Sequence, residues 1–237
     1  MAFSWPQMTG AVKQENKMAV LFSSVPSRVR SGILSGVAAV ALVLLLPVIV
    51  GDAARADEGQ AVTVVEKLHA GLTHLMAEGE AMGQDAAIAY TGDLVDQTYN
   101  LASLTAQSIG PSAFRGFDNR GKGLVVSAYR DFAIANYVSR FAKKLPITFD
   151  TKNAEAGPRG SFLVHTLLNR RTGDPVELSY VVVTNEAGVS GIADVLYDGV
   201  SEAARRRSEL SQLARQGAEP LAAALTRKAK QILAGDV

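Results

Sequence analysis

The sequence predicts an α+β domain, a curved antiparallel sheet of about four strands packed against several helices. Three observations predict it. From Asp57 to Lys144 apolar residues recur at three- and four-residue steps. From Ile147 to Tyr197 β-branched runs alternate with short turns, and after Val200 the helical period returns. An order of helices, strands and helices places the helices together on one face of a sheet rather than between parallel strands.

Each element has its own signal. Asp57–Met82 is predicted as a helix, because Val64, Val65, Leu68, Leu72, Leu75 and Met76 form one stripe. Asp57 and Gln60 make a capping box at its start, and Gly79 and Gly83 mark its end. Short helices are predicted over Thr91–Tyr99 and Leu101–Ile109, the second stopped by Gly110-Pro111. Residues 111–123, rich in glycine, proline and charge, read as a loop. Leu124–Lys144 is the clearest helix, with Leu124, Ala128, Phe132, Ala135, Val138 and Phe141 on one face and Pro146 ending it.

Four strands follow: a short one at Ile147–Asp150, then Ser161–Asn169, Val176–Thr184 and Val189–Tyr197. Gly173-Asp174-Pro175 and Asn185-Glu186-Ala187-Gly188 supply the turns of an antiparallel meander. Two helices, roughly 200–216 and 220–234, close the chain and break at Gly217 and Pro220. The strands are apolar on both faces: Leu163 and Leu167 oppose Phe162, Val164 and Leu168, while Tyr180 and Val182 oppose Val181 and Val183. A half-exposed sheet alternates more cleanly. Either helices cover both faces or one face lines an apolar cavity.

The first 56 residues read as a secretory leader. Lys13, Lys17, Arg28 and Arg30 precede an apolar run from Ile33 to Val50, and Ala54-Arg55-Ala56 supplies a small-residue cleavage site before Asp57. Met18 is a plausible true start. An uncleaved membrane anchor is the alternative, since the apolar run is just long enough to span a bilayer. Of 24 basic and 23 acidic groups in the chain, five and two fall in the leader, leaving 19 and 21 in a single domain over 57–237. A near-neutral exported domain has no electrostatic case for nucleic acid. With no cysteine, disulfides and thiol chemistry are excluded and the hydrophobic core must hold the fold.

Catalytic motifs are mostly missing. Gly188-Val189-Ser190-Gly191 lacks the nucleophile-elbow spacing, and Gly121-Lys122-Gly123 has no third glycine and no preceding strand. His69 and His74 are five apart, off the shared helical face that a metal pair needs. No cofactor, metal or catalytic residue is therefore expected. The one enzymatic alternative is an acid–base pair of His165 and Asp194 inside a cone-shaped sheet. Arg205-Arg206-Arg207, flanked by Glu202 and Glu209, reads as a solvated or ion-paired helix face.

Asp194-Val195, Gly199-Val200-Ser201 and Arg207-Ser208 with Leu210 fall at a distinctive spacing. Val95-Asp96-Gln97-Thr98-Tyr99, Arg130-Asp131-Phe132 and Gly217 with Leu221 and Leu225 accompany them. In these segments the chain resembles the periplasmic lipid-shuttle family typified by MlaC, also called toluene-tolerance auxiliary proteins. Residues 124–141 and Arg206–Glu209 are most similar to the hopanoid-associated branch, HpnM. Ser190 stands where the family has tryptophan.

The resemblance implies a lipid carrier in the periplasm, its apolar cavity lying between sheet and helices. A phospholipid or hopanoid would be the ligand. An inner-membrane lipid transporter and an outer-membrane lipoprotein complex would be the partners. It shifts the reading of the two-faced strands toward a lined cavity. The implied wall is Leu163, Leu167, Val181, Val183, Val195 and Tyr197 from strands, with Leu72, Tyr99, Leu104, Phe132 and Phe141 from helices. A membrane-tethered adaptor is a third possibility if the leader stays uncut.

Overall fold

A computed structural model describes residues 51–235 of the chain, with side chains from Glu58 onward. Residues 1–50, which hold most of the expected leader, lie outside the described residues. Among the described residues are seven α-helices and one open, five-stranded antiparallel sheet. The helices are α1 (Gly51–Met82), α2 (Gln84–Thr98), α3 (Leu101–Ile109), α4 (Pro111–Gly116), α5 (Asn119–Phe141), α6 (Glu202–Gln216) and α7 (Ala218–Ala234). The strands are β1 (Ile147–Ala156), β2 (Phe162–Arg170), β3 (Val176–Thr184), β4 (Ser190–Tyr197) and β5 (Val200–Ser201), in that spatial order.

The α+β class expected from the sequence is the one observed. Several local expectations need correction. The first helix already starts at Gly51, so Asp57 and Gln60 lie inside it and not at its cap, and the second starts at Gln84 rather than Thr91. The segment 111–123 is largely helical: Pro111 opens α4, and Asp118 caps α5 by accepting from the Gly121 amide at 2.7 Å. Proline at a first helical position loses no hydrogen bond, so it starts helices as readily as it stops them. The first strand has ten residues rather than four, because pairing with β2 extends it through polar residues after a bulge at Thr151/Asn153. A fifth, two-residue strand follows the Asp198-Gly199 corner, where both residues have positive φ (47° and 77°) and turn the chain tightly back on Tyr197.

The register sorts the strand residues into two faces. Val164 lies opposite Tyr180, which lies opposite Val195; Phe162, Val182 and Ile192 form a second row and Leu168 and Val176 share a third. These side chains meet Val65, Leu68 and Leu72 of α1, the helix that runs along β1 to β4. A second cluster joins α3, α5, α6 and α7 around Ile109, Phe132, Leu210 and Leu221. A third lies where α1, α2 and α5 meet, at Leu75, Val95 and Ile134. Tyr99 touches all three clusters.

Strand β4 is the seam between sheet and helices. Beyond its pairing with β3, the Asn100 amide donates to the Ile192 carbonyl at 2.9 Å, and Tyr99 bridges to Ile192 in parallel. The α2–α3 joint thus acts as a short extra strand. That approach needs a residue without a side chain at Gly191, where a Cβ would lie 2.6 Å from the Asn100 nitrogen and 3.0 Å from the Tyr99 carbonyl carbon. Both obstacles are backbone. Gly191→Ala is expected to destabilise the protein by about 2 kcal/mol. For a domain of this size that is a fall in melting temperature of about 4–8 °C. Thermal denaturation followed by circular dichroism measures it, and an unchanged midpoint would show that the joint does not rely on this contact.

Candidate functional site

The space between α1 and the sheet is not uniformly sealed. Its centre is fully buried, but a run of apolar side chains beside it keeps water-accessible surface: Tyr99, Tyr137, Phe141, Phe149, Val195 and Tyr197. They come from α2's end, from α5 and from two strands, β1 and β4. Tyr137 and Phe141 are one turn apart on α5, their rings 5.9 Å apart. Tyr99 and Tyr137 are deep in the molecule, hydrogen-bonded hydroxyl to hydroxyl, with ring centroids 6.2 Å apart. Burial raises both phenols above their ordinary pKa, Tyr99 the further because Tyr137 lies beside it. Both are therefore neutral at any physiological pH. Tyr99 and Tyr137, enclosed by protein and yet partly accessible, mark a cleft beside the sealed core, with Tyr197 at its outer edge.

A polar contact crosses the sealed part. His69 of α1 stacks on Phe149 of β1 at 4.2 Å and is hydrogen-bonded through Nε2 to the Tyr180 hydroxyl of β3 at 2.9 Å. Burial pushes its pKa down to about 4. The imidazole is thus a neutral hydrogen-bonding bolt between helix and sheet.

The structure divides the side chains expected at the wall into three groups. Tyr99, Phe141, Val195 and Tyr197 are half-buried and packed against the α1–sheet core. Leu72 is sealed between α1 and the sheet, and Leu104 and Phe132 are buried in the helical cluster among α3, α5, α6 and α7. Leu163, Leu167, Val181 and Val183 are on the other face of the sheet, where Leu163 pairs with Val181 and each of the four is half-buried. Apolar alternation in sequence gives two faces but not which one a helix covers. Tyr137, Phe149, Tyr180 and His69 were not anticipated. The signal for Tyr137 was its spacing of four from Phe141; nothing in sequence pairs His69 with a strand more than a hundred residues away.

His165 and Asp194 do not form a pair. His165 lies on the outer sheet face, its Nδ1 3.0 Å from Ser179 Oγ and its Nε2 3.4 Å from Glu155. Asp194 is 5% exposed and is spent on architecture. Its Oδ1 accepts from the amides of Val195 (2.8 Å) and Ala203 (3.0 Å), and Oδ2 accepts from Ser201 Oγ at 2.5 Å. Ser201 in turn caps α6 by accepting from the Ala204 amide. Asp194 thus fixes the start of α6 against β4.

The arginine run is ion-paired, as expected, but not all of it is solvated. Arg205 and Arg206 both reach Glu202 and Glu209, and Arg206 is 6% exposed with its guanidinium 4.9 Å above the Phe132 ring. Arg207 is exposed and donates to the Gln107 carbonyl of α3. Ser190 Oγ hydrogen-bonds Thr184 Oγ1 at 2.9 Å. A separate open groove of about 680 Å³ runs between α5 and α7, past Leu124, Ala128 and Ala222. Among the described residues there is no cluster of metal ligands and no helix long and apolar enough to cross a membrane.

Residues 67–227 match the sequence family described as MlaC protein. The chain belongs to the MlaC family. The match begins in α1 and ends in α7, so it takes in the whole sheet and the cleft. No curated protein matches the chain. Among solved structures, the chain is similar to the phospholipid-binding protein of Ralstonia solanacearum in complex with a phospholipid, with a TM-score of 0.61. The two are 15% identical over 74% of this chain and 98% of that one. At that identity the likeness is one of fold.

The His69 bolt makes stability depend on pH in this MlaC-family domain. Between pH 6.5 and about 4 the unfolded chain takes up a proton on His69 that the folded one excludes. Its contribution is therefore a loss of stability on acidification, beginning near pH 6.5, complete near pH 4 and on the order of 3 kcal/mol in all. Urea titrations across that range should show the decline flattened in the His69→Phe/Tyr180→Phe double variant, which removes both hydrogen-bonding groups together. An identical slope in the variant would assign the acid sensitivity elsewhere.

Proposed function

We propose that this protein is a periplasmic lipid carrier that shuttles phospholipid or hopanoid between the inner and outer membranes. The observation that carries the reading is the half-buried apolar cleft beside α1, built from Tyr99, Tyr137, Phe141, Phe149, Val195 and Tyr197. Membership of the MlaC family and a fold shared with a phospholipid-bound protein support it. His165 and Asp194, the candidate acid–base pair, have separate structural partners, which favours a binding protein over an enzyme.

The physical need for such a carrier is large. An acyl chain of about fifteen methylenes exposed to water costs on the order of 12 kcal/mol, at about 0.8 kcal/mol each. Free diffusion of a membrane lipid across an aqueous compartment is negligible against that figure. A cleft that takes the chains removes most of the cost and leaves the headgroup in water. The carrier would collect from an inner-membrane lipid transporter or deliver to one, and exchange with a lipoprotein complex at the outer membrane. A cleaved leader over residues 1–56 would direct it to the periplasm, and N-terminal sequencing of the exported protein should then begin at Asp57.

Mass spectrometry of lipid co-purifying with the protein tests the reading directly. Val195→Trp, which fills the cleft, should lower bound lipid roughly tenfold, the equivalent of about 1.4 kcal/mol. Val181→Asp, on the outer face, should leave it unchanged. The opposite pattern would move the binding wall to Leu163, Leu167, Val181 and Val183. Purified wild-type protein that neither carries nor takes up lipid would end the carrier reading.

A further inference from the structure

The charge of the domain is near neutral in sum but divided in space. Elements α3 to α7, residues 101–141 and 202–235, carry twelve Lys or Arg and five Asp or Glu. The α1, α2 and sheet side, residues 58–100 and 142–201, carries seven and fourteen. Charge placed only for solubility is mixed in sign; here one layer is cationic and the other anionic. The cationic excess is concentrated where the segment 110–122 runs beside α6. A Cβ at Gly110 would lie 3.9 Å from Arg207 Cδ, and one at Gly121 would lie 3.0 Å from Ala218 Cβ, so the two stretches are aligned from end to end. Along them Arg115, Arg120, Arg207 and Arg215 are exposed and Lys122 is half-buried. Arg207 and Arg215 stand about two turns apart on α6, on a face whose other exposed residues, Ala204, Ser208, Gln212 and Gln216, are uncharged. Asp118, the carboxylate in the neighbouring segment, caps α5. Glu202 and Glu209 are held by Arg205 and Arg206.

We propose that the α4–α6 face, with Arg115, Arg120, Lys122, Arg207 and Arg215, docks the protein on the surface of an anionic lipid bilayer. The inference goes beyond the lipid-carrier reading: that one concerns what the cleft holds, this one how the protein meets a membrane. Charge complementarity selects the occupant. A bilayer rich in anionic headgroups presents a broad negative surface, and each Lys or Arg brought close to it strengthens attachment roughly fivefold. The anionic α1–sheet layer is repelled by the same surface, so the field of the whole molecule turns the helical layer toward the membrane. A protein partner is normally gripped through a desolvated apolar or aromatic centre. Neither stretch of this face exposes a large apolar side chain: Phe114 and Phe117 are packed against the helical core. Spaced cations without an apolar anchor make an attachment that is electrostatic and reversible, the kind that a protein moving between two membranes requires.

The test is co-sedimentation of the full-length mature domain with vesicles of phosphatidylglycerol and of phosphatidylcholine, matched in size and acyl chains. The wild type should bind the phosphatidylglycerol vesicles alone, and added salt should release it as the screening length shrinks. Arg207→Gln/Arg215→Gln should weaken that binding roughly twentyfold. Arg115→Gln/Arg120→Gln should do the same from the neighbouring segment, and it serves as the second variant if the first does not fold. Arg170→Gln/Arg171→Gln, at the β2–β3 turn of the sheet, removes the same charge and should leave binding unchanged. Equal binding to the two kinds of vesicle, binding to neither, or binding that survives both helical variants overturns the proposal. Self-association that salt dissolves, in the absence of vesicle binding, would give the face to the anionic layer of a second copy and overturn it as well. Co-sedimentation does not depend on whether the cleft takes up lipid, so failure of the docking surface and failure of the carrier reading are told apart.

Discussion

Strand β4 has to satisfy three neighbours at once, and the rest of the structure hangs on how it does so. One edge pairs with β3. Along the other, Ile192 takes a hydrogen bond from the α2–α3 joint, and farther on β5 folds back against Leu196 and Tyr197. Its Asp194 side chain ties down the first turn of α6. Residues 190–194 are consequently all buried, although β4 is neither long nor central. A β-strand with partners on both edges and a buried carboxylate tolerates little change, because a lost partner leaves a buried polar group unpaired. The absence of a side chain at Gly191 is what lets the helical joint come close enough to complete this arrangement.

From that seam the cleft follows. Holding the α2–α3 joint against β4 places Tyr99 at the meeting point of the three apolar clusters. Holding α6 by its capped N-terminus puts Arg206 over Phe132 and its paired glutamates above the helical cluster. These ion pairs are partly exposed and contribute modestly to stability; what they do is close the helical layer without a long hydrophobic side chain. Between the two anchored elements, α5 brings Tyr137 and Phe141 to the edge of the α1–sheet layer. The result is a half-buried wall rich in aromatic side chains, with one pair of hydroxyls in it and the largely buried Arg140 beside Tyr137.

The sequence determined the helices, the meander and their order, because each rests on local terms: the 3.6-residue stripe of α1, the β-branched runs of β2 and β3, the turn residues between them. It also carried the family, since the Asp194…Ser201 spacing is that of a strand residue capping the next helix, a local constraint that must be kept in the chain itself. Residues 111–123 resemble a loop in sequence because proline and glycine punctuate helices at either end, whereas in the fold Pro111 opens α4 and Asp118 caps α5. What the tertiary structure alone decided was facing. Alternation in β2 and β3 separates Val164 from Leu163 and Val182 from Val181, yet both sets are apolar, and only the docking of α1 makes one the core side. The same docking creates the His69–Tyr180 bond, and the joint at β4 creates the Tyr99–Tyr137 pair. Those contacts join residues far apart in the chain. Local propensity has no term for them, because their energy exists only once distant elements have been brought together.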